Sequence, residues 1–265
     1  MTKTRFLNWE KPGKAVVTGA SSGIGAEFAR KLAELGFTPV LVARRKEKLE
    51  KIAKEVKKNF NAPAEVAVVD LSDLEQVHAF AASLKEDSTV DILINNAGFG
   101  LSEGFGRGKL EPHLNMMRVH MEAPVILTHA VIPNMIENGR GAIVNTASIA
   151  AFNPGPGLYP PTKAFLVTFS EGLSIELEGT GIRVQALCPG FTHTEFHEDP
   201  GLATLKTNTP KFAWGNVEDV VSASISGLKK NKKIVIPGFI NKLVCRVPKS
   251  LRAGVVAKRV RREVY

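Results

Sequence analysis

A tyrosine and a lysine one helical turn apart are the residues of this chain best suited to proton transfer. Tyr159 and Lys163 are four positions apart, so on a helix they lie on one face. A phenol has a pKa of about 10, too high for easy proton exchange at neutral pH, and a neighbouring ammonium favours the phenolate. The pair is therefore a candidate for proton transfer. The alternative is that Tyr159 is only a half-buried aromatic residue at a helix start. Tyrosine is rare in this chain, the only other one being the terminal Tyr265, and this favours the functional interpretation.

A glycine-rich turn that could bind a phosphate directly follows the first apolar run. The residues TGASSGIG occupy positions 18–25, between the run at 15–17 and a helical pattern. Gly19 would allow the tight turn, Gly23 would let the backbone approach a phosphate, and Gly25 would let the helix pack against the sheet. A helix N-terminus adds N–H groups and partial positive charge. A plain tight turn is the alternative.

These groups need a scaffold, and short β-branched runs alternate with helical patterns along the chain. This alternation predicts an α/β fold: a Rossmann-type, doubly wound parallel sheet of about seven strands with helices on both faces. A long helix is expected over 110–137, kinked at Pro124, and others over 161–178 and from Asn216 to Leu228, with a loop at 189–215. The predicted strands contain residues 15–17, 39–42, 66–69, 92–94, 143–144, 182–187 and 234–236.

Further motifs follow the glycine turn in order along the chain. They are Asp70 after the third predicted strand, Asn95-Asn96-Ala97-Gly98 after the fourth, Ser148 after the fifth, and Pro189-Gly190 with Thr192 and Thr194 after the sixth. With the G-x-x-x-G-x-G turn and the Tyr159–Lys163 pair, they resemble the short-chain dehydrogenase/reductase family over residues 12–240. The segments LINNAGFG, NTASIAAFNPGPG and CPGFTHTEF look most like its NADP-dependent reductases. We therefore expect residues 1–265 to form a single dinucleotide-binding catalytic domain, with 241–265 as a basic tail.

The resemblance implies a role for each motif. Tyr159 would be the general acid in carbonyl reduction and the base in alcohol oxidation, Lys163 would also hold the nicotinamide ribose, and Ser148 would hydrogen-bond the substrate oxygen. The cofactor would carry the hydride, while the protein supplies position and electrostatics. Asp70 would accept a hydrogen bond from the adenine amine. The expected cofactor contacts are Gly19, Ser21, Ser22, Gly23, Ile24, Gly25, Arg44, Arg45, Asp70, Leu71, Asn96, Ala97, Gly98, Tyr159, Lys163, Pro189, Gly190, Thr192 and Thr194.

The end of the second predicted strand indicates which dinucleotide is used. Dehydrogenases that use NAD place an acid there for the ribose 2′-hydroxyl. This chain has Ala43, followed by Arg44 and Arg45, and a guanidinium suits a 2′-phosphate. We expect NADP(H), with Arg44 as the main contact, Arg45 in support, and hydroxyl contacts from Ser21 and Ser22. The alternative is that both arginines are solvated at the start of the next helix.

A histidine stands where the family usually has an asparagine linked through water to the lysine. The segment RVHMEAP places His120 there, on one helical stripe with Met116, Ala123 and Leu127, so we expect its side chain to face inward. An imidazole can donate and accept, so His120 is a candidate catalytic residue in a proton relay. A satisfied core histidine is the alternative, and the sequence leaves both open.

Two more departures lie next to the tyrosine. Ser148 and Tyr159 are closer along the chain than in most relatives, and Pro160 and Pro161 follow the tyrosine. Because proline is tolerated only in a helix's first turn, the helix must begin at or just before Tyr159. These departures, with His120, motivate a second hypothesis: a non-catalytic NADP-binding or scaffolding protein on the same fold. The intact serine, tyrosine and lysine favour the enzyme.

Composition excludes several other classes. With 44% hydrophobic and 23% charged residues among 265, the chain resembles ordinary soluble globular proteins. Its two cysteines, Cys188 and Cys245, exclude a disulfide framework and fit a reducing, cytoplasmic location. His193, Glu195 and His197 spell H-x-E-x-H, but no third ligand is evident, so we expect no metal. A lipophilic substrate is indicated by phenylalanines in loops near the expected site: Phe99, Phe105, Phe152, Phe191, Phe196 and Phe212.

The basic charge is concentrated at the C-terminal end. Residues 229–265 hold twelve Lys and Arg residues and one acid, a net +11, so the rest of the chain carries −2 of the formal +9. A nucleic-acid partner is not expected, because such proteins spread cations over a reading face. An apolar stripe within 251–260 predicts either weak contact with an anionic membrane surface, which would make the protein peripheral, or packing on the body or a second subunit. The family resemblance implies a homo-oligomer.

Overall fold

A seven-stranded parallel sheet forms the centre of the molecule, as the sequence predicted. The structure is a computed structural model, and it describes residues 6–7, 9–101, 105–106, 108–153, 155–198 and 213–247. The strand order is β3-β2-β1-β4-β5-β6-β7, so the chain starts in the middle of the sheet and winds outward in both directions. The strands are β1 (Lys14–Thr18), β2 (Thr38–Ala43), β3 (Glu65–Val68), β4 (Val90–Asn95), β5 (Gly141–Thr146), β6 (Ile182–Leu187) and β7 (Ile234–Val235).

Helices cover both faces of this sheet. They are α1 (Gly23–Glu34), α2 (Lys46–Phe60), α3 (Leu74–Lys85), α4 (Leu110–Met117), α5 (Ala123–Glu137), α6 (Tyr159–Glu176), α7 (Val217–Lys229) and α8 (Phe239–Arg246). Successive strand residues point to opposite faces, so Ala15 and Val17 pack with α1, α2 and α7, whereas Val16 packs with α3, α5 and α6. The result is the doubly wound arrangement expected from continuous apolar strands.

The long helical segment is interrupted by a π-turn before its predicted kink. A π-turn, Arg118–Glu122, joins α4 to α5, and Ala123 donates its backbone N–H to the carbonyl of Arg118. Pro124 has no N–H, so it cannot bond the carbonyl of His120 four residues earlier. Just before Pro124 the backbone hydrogen bonds change from a spacing of four residues to one of five. The irregularity therefore falls at His120.

Helix α6 begins where the proline pair requires. Helix α6 starts at Tyr159, with Pro160 and Pro161 in its first turn, which confirms the expected start. The predicted range of 161–178 began two residues late. Because the first turn needs no N–H from either proline, Tyr159 is held at the very end of the helix, beside the carboxyl ends of the strands.

Helix α8 was not predicted as a separate element. It exposes several apolar side chains, among them Phe239, Ile240 and Leu243. The predicted stripe at 251–260 lies outside the described residues. Within the described ranges, no helix is both long and apolar enough to cross a membrane.

Candidate active site

A cleft of about 880 Å³ runs along the carboxyl ends of the strands. Ligands of doubly wound folds bind at this edge. Every residue predicted to contact the cofactor lines the cleft except Gly25, and so does Ser148, whereas His120 does not. A Cβ added to Gly25 would lie 2.3 Å from the carbonyl oxygen of Gly19, so Gly25 acts behind the loop by permitting close packing.

The glycine turn has the backbone that a phosphate loop needs. Gly19 has a φ of +67°, and an added Cβ would lie 2.9 Å from the Cα of Ala97. Only glycine combines that conformation with so close an approach. The turn leads into α1 with Ser22 at the N-cap position, and Gly23 and Ile24 at the start of the helix line the cleft, so the N–H groups of the first turn lie beside it.

The loop after β4 is tied to the end of β1. Thr18 Oγ1 accepts hydrogen bonds from the backbone N–H groups of Asn96 (2.9 Å) and Ala97 (3.0 Å). The Asn96 side-chain amide donates to the carbonyl oxygen of Thr18 at 3.0 Å. Asn96 thus shapes the cleft wall through its amide. Thr18 was not singled out from the sequence, although a hydroxyl residue directly before the glycine turn was a usable signal.

A buried polar chain supports the site from behind. Asn95 donates to Asn145 at 2.9 Å, and Asn145 donates to Ser170 at 2.9 Å, linking β4, β5 and α6. All three side chains are at most 3% exposed. Buried networks of this kind fix the relative position of the elements they join. The strands beneath helix α6 are therefore held in fixed positions relative to it.

Ser148, Tyr159 and Lys163 meet at the β5–α6 side of the cleft. Burial raises the pKa of Tyr159 to about 12, and a hydrogen bond with Ser148 opposes that rise. Lys163 Nζ donates to the carbonyl oxygen of Thr146 at 2.9 Å and lies 5.6 Å from the centre of the Tyr159 ring. Burial lowers the pKa of Lys163 to about 8. At neutral pH the phenol is thus protonated, and most of the lysine is charged beside it.

His120 is fully buried beneath this group, with both ring nitrogens hydrogen-bonded. Nε2 accepts the backbone N–H of Phe99 at 3.0 Å, and Nδ1 lies 3.0 Å from Thr162 Oγ1. The Thr162 hydroxyl donates to the carbonyl oxygen of Tyr159 at 2.9 Å, so Nδ1 must be the donor to Thr162. Burial, and then the charge of Lys163, hold the pKa of His120 well below 6.5. The ring is therefore a neutral bridge between the loop after β4 and helix α6.

The two arginines after β2 lie in different surroundings. Arg45 Nη2 donates to Ser21 Oγ at 2.7 Å and to Ser22 Oγ at 3.0 Å. Arg44 is 72% exposed and lies 3.7 Å from Asp70, its nearest ion-pair partner. Asp70 in turn accepts the N–H and the hydroxyl of Ser72. Both arginines line the cleft, and Arg45 is the one held against the glycine turn.

The segment after Pro189-Gly190 lies over the glycine turn. A Cβ added to Gly23 would come within 2.9 Å of Thr194, and Glu195 forms ion pairs with Arg45 and Lys48. The ring of His193 stacks on Trp214 at 5.0 Å. In the described part of the chain, no three potential ligands group as a metal site would require.

Aromatic side chains surround the tyrosine. Phe196 lies 5.8 Å from the Tyr159 ring, and Phe99 and Phe191 also line the cleft. Phe105 and Phe152 do not line it, and Phe212 lies outside the described residues.

Comparison with known proteins defines the class. The family profile described as short chain dehydrogenase matches residues 13–201. An uncharacterised oxidoreductase of Staphylococcus saprophyticus is 35% identical over 219 residues, covering 82% of this chain and 91% of the relative. The chain therefore belongs to the short-chain dehydrogenase family, a family of oxidoreductases.

Solved structures agree with this assignment over nearly the whole chain. A short-chain dehydrogenase from Sphingobium yanoikuyae in complex with NADPH is similar, with a TM-score of 0.81, 32% identity and 96% of both chains covered. A bulky-bulky ketone specific alcohol dehydrogenase from Comamonas testosteroni is similar, with a TM-score of 0.77, 29% identity, and 96% of this chain and 94% of that one covered.

Proposed function

We propose that the protein is an NADP(H)-dependent oxidoreductase that reduces a carbonyl, or oxidises the matching alcohol, on a lipophilic substrate. The observation that carries the proposal is the meeting of Ser148, Tyr159 and Lys163 at the same cleft as the glycine turn and Arg45. The three departures from the family pattern leave this group assembled. We propose further that residues 12–240 act as one catalytic unit, since a single sheet contains strands from Lys14 to Val235.

The cleft suits a dinucleotide. Its glycine turn and helix N-terminus would hold a pyrophosphate, and Asp70 would accept from the adenine. Thr146 Oγ1 is buried at the cleft and has no hydrogen-bond partner among the described residues, so it could accept or donate to a polar ligand. When bound, the reduced nicotinamide would supply the hydride.

Proton transfer falls to Tyr159. With a pKa of about 12 the phenol is fully protonated at neutral pH, so it is ready to donate to the oxygen of a carbonyl undergoing reduction. Ser148 would hydrogen-bond the same oxygen and hold it within reach. The Lys163 ammonium stabilises the phenolate left behind, because an adjacent positive charge favours the ionised form. In the reverse direction the phenolate would take the alcohol proton.

The preference for NADP(H) rests on the two arginines. A 2′-phosphate beside Ser21 and Ser22 would meet the Arg45 guanidinium, which those hydroxyls already orient. We therefore assign the larger share of 2′-phosphate binding to Arg45 and a smaller one to the exposed Arg44. The Sphingobium relative was solved with NADPH, which supports the same cofactor here.

A lipophilic substrate fits the aromatic lining. Phe99, Phe191 and Phe196 would contact the part of the substrate that flanks the carbonyl. Apolar walls with a few polar groups at one point are typical of small-molecule sites. The ketone-specific Comamonas relative is consistent with this class of substrate.

The test combines activity with one substitution. Protein, NADPH and a panel of reactive dicarbonyls are mixed, and the NADPH absorbance is followed. We expect turnover by the wild type and a loss of about 10²–10⁴-fold in Tyr159→Phe, because only the proton donor is removed. NADPH binding, measured by calorimetry, should be unchanged. Turnover of the variant within a few-fold of wild type would refute the assignment, and no turnover by the wild type with any carbonyl would favour the scaffolding hypothesis.

We also propose a homo-oligomer and a weak, peripheral contact of the C-terminal region with anionic membrane surfaces. The family resemblance supports the oligomer. Helix α8 supports the surface contact, since Phe239 is 73% exposed and Lys242 and Arg246 lie on the same short helix. The described part of 229–247 contains six Lys and Arg residues and no acid. A cytoplasmic location is likewise a prediction.

A further inference from the structure

The glutamate after Thr194 is held by two cations at the adenosine end of the cleft. Its carboxylate oxygens lie 2.7 Å from Arg45 Nη1 and 2.5 Å from Lys48 Nζ. Hydrogen bonds from Lys48 and Arg45 lower the pKa of Glu195 to about 2, so it is ionised throughout the neutral range. The Arg45 guanidinium therefore binds the serine pair of the glycine turn through one side and a carboxylate through another.

This carboxylate lies where an anionic group of the cofactor would be bound. Arg45, Ser21, Ser22 and Glu195 all line the cleft. A phosphate and a carboxylate both prefer planar, charge-assisted donors. A phosphate beside the serines that also reached Nη1 would meet Glu195 on that same donor. A dianionic phosphate beside Glu195 would also meet a like charge at close range.

We propose that Glu195 is a specificity-determining residue that competes with the 2′-phosphate of NADP(H) for Arg45 and Lys48. The inference rests on the proposed use of NADP(H). Binding of the 2′-phosphate displaces the carboxylate from Arg45, so the intact ion pair lowers the affinity for NADP(H) and leaves that for NAD(H) unchanged. The wild type is thus less selective for the phosphorylated cofactor than its two arginines alone would make it.

The expected size of the effect follows from exposure. The side chains of Glu195, Arg45 and Lys48 are 42%, 46% and 43% exposed, so water screens both ion pairs. Exposed pairs of this kind change an equilibrium constant by about 1.5- to 5-fold each. Removing the charge of Glu195 should therefore tighten binding of a 2′-phosphate by about 3- to 10-fold. Because the side chain is exposed, the substitution leaves no cavity.

The experiment measures dissociation constants in full-length Glu195→Gln. The probes are adenosine 2′,5′-bisphosphate and NADPH, with AMP and NADH as the matching ligands that lack the 2′-phosphate. We expect the first two to bind about 3- to 10-fold more tightly than to wild type, and the second two to bind within twofold. Unchanged or weaker binding of adenosine 2′,5′-bisphosphate to Glu195→Gln would overturn the proposal.

Two controls separate competition from a general change in charge. Glu50→Gln makes the same charge change at an exposed carboxylate paired with Lys46, and it should leave all four constants unchanged. In an Arg45→Ala background the gain from Glu195→Gln should shrink, and an equal gain there would also overturn the proposal. The wild-type ratio of NADPH to NADH affinity tests the NADP(H) assignment separately, because the competition is read from the ratio of variant to wild type.

Discussion

Replacing His120 should lower stability and turnover together, because its ring joins two parts of the site. In His120→Ala the partly buried N–H of Phe99 loses its acceptor, which costs up to about 1–3 kcal/mol, and the cavity left by the ring adds to that. We expect a total loss of about 2–4 kcal/mol in the free energy of unfolding. Thr162 keeps its bond to the Tyr159 carbonyl oxygen, so helix α6 remains formed.

The loss of turnover should come from misplacement. Phe99 follows the loop that lines the cleft, and Thr162 lies one position before Lys163. A shift of about 1 Å between them can reduce the rate by about 10²-fold. We expect kcat per folded molecule to fall by about 10- to 100-fold and the NADPH dissociation constant to rise. The assays are urea unfolding and steady-state kinetics at saturating NADPH.

Two conservative variants separate the two hydrogen bonds. In His120→Gln the amide reaches about as far as Nε2 and can accept from Phe99. In His120→Asn the amide reaches about as far as Nδ1 and can donate to Thr162. Each of these variants should recover part of the stability lost in His120→Ala, and the pH profile of kcat should stay that of the wild type in His120→Ala, His120→Gln and His120→Asn. A changed pH profile would instead support the proton relay. Stability within about 1 kcal/mol and kcat within twofold of wild type in His120→Ala would refute the positioning role.

The same ring makes stability depend on pH. Burial holds the pKa of His120 well below its unfolded value of about 6.5, so below that pH the unfolded chain binds a proton that the folded chain does not. The contribution of the neutral His120 ring to the free energy of unfolding is complete above pH 6.5. It is lost as the pH falls, at up to about 1.4 kcal/mol per pH unit. Urea unfolding between pH 5 and 8 gives the free energy of unfolding as a function of pH. Its slope below pH 6.5 should be smaller in His120→Gln than in the wild type by up to about 1.4 kcal/mol per pH unit. Equal slopes would mean that the folded ring also takes up the proton.

The remaining predictions concern the cofactor and the C-terminal region. Arg45→Ala should weaken NADPH binding by about 10-fold or more while NADH binding stays within twofold, as measured by fluorescence titration. Arg44→Ala should also weaken NADPH binding more than NADH binding, but by a smaller factor. Equal losses for both cofactors would contradict the NADP(H) assignment. Full-length protein should sediment with anionic vesicles at low salt, but not at high salt or with neutral vesicles. A chain ending at Lys249 keeps helix α8 but loses five of the twelve cations of 229–265, so it should sediment less. If the full-length protein stays in the supernatant with anionic vesicles at low salt, the membrane prediction is wrong.

Local patterns were enough to predict the fold, and the family resemblance implied much of the cleft. The spacing of apolar residues predicts which segments are strands and which are helices. Parallel strands all end at one edge of the sheet, so the residues that follow them lie at that edge. The glycine turn, the loop at 95–98 and Ser148 each follow a predicted strand, and the family resemblance implied that they serve one site. The start of α6 followed from Pro160 and Pro161, since proline restricts its own backbone whatever surrounds it. The inward orientation of His120 followed from helical periodicity in the same way.

Tertiary structure alone decided what these residues touch. The partner of His120 Nδ1 is 42 positions away and the partner of Arg45 Nη1 is 150 positions away, and no periodicity relates such positions. Sequence could favour Arg44 over Arg45 only by their order after β2, whereas packing turned Arg45 towards the serine hydroxyls. The π-turn likewise depended on how the missing N–H of Pro124 was accommodated. Short-range backbone and periodicity constraints are encoded locally, but the pairing of side chains depends on where separate loops meet in space.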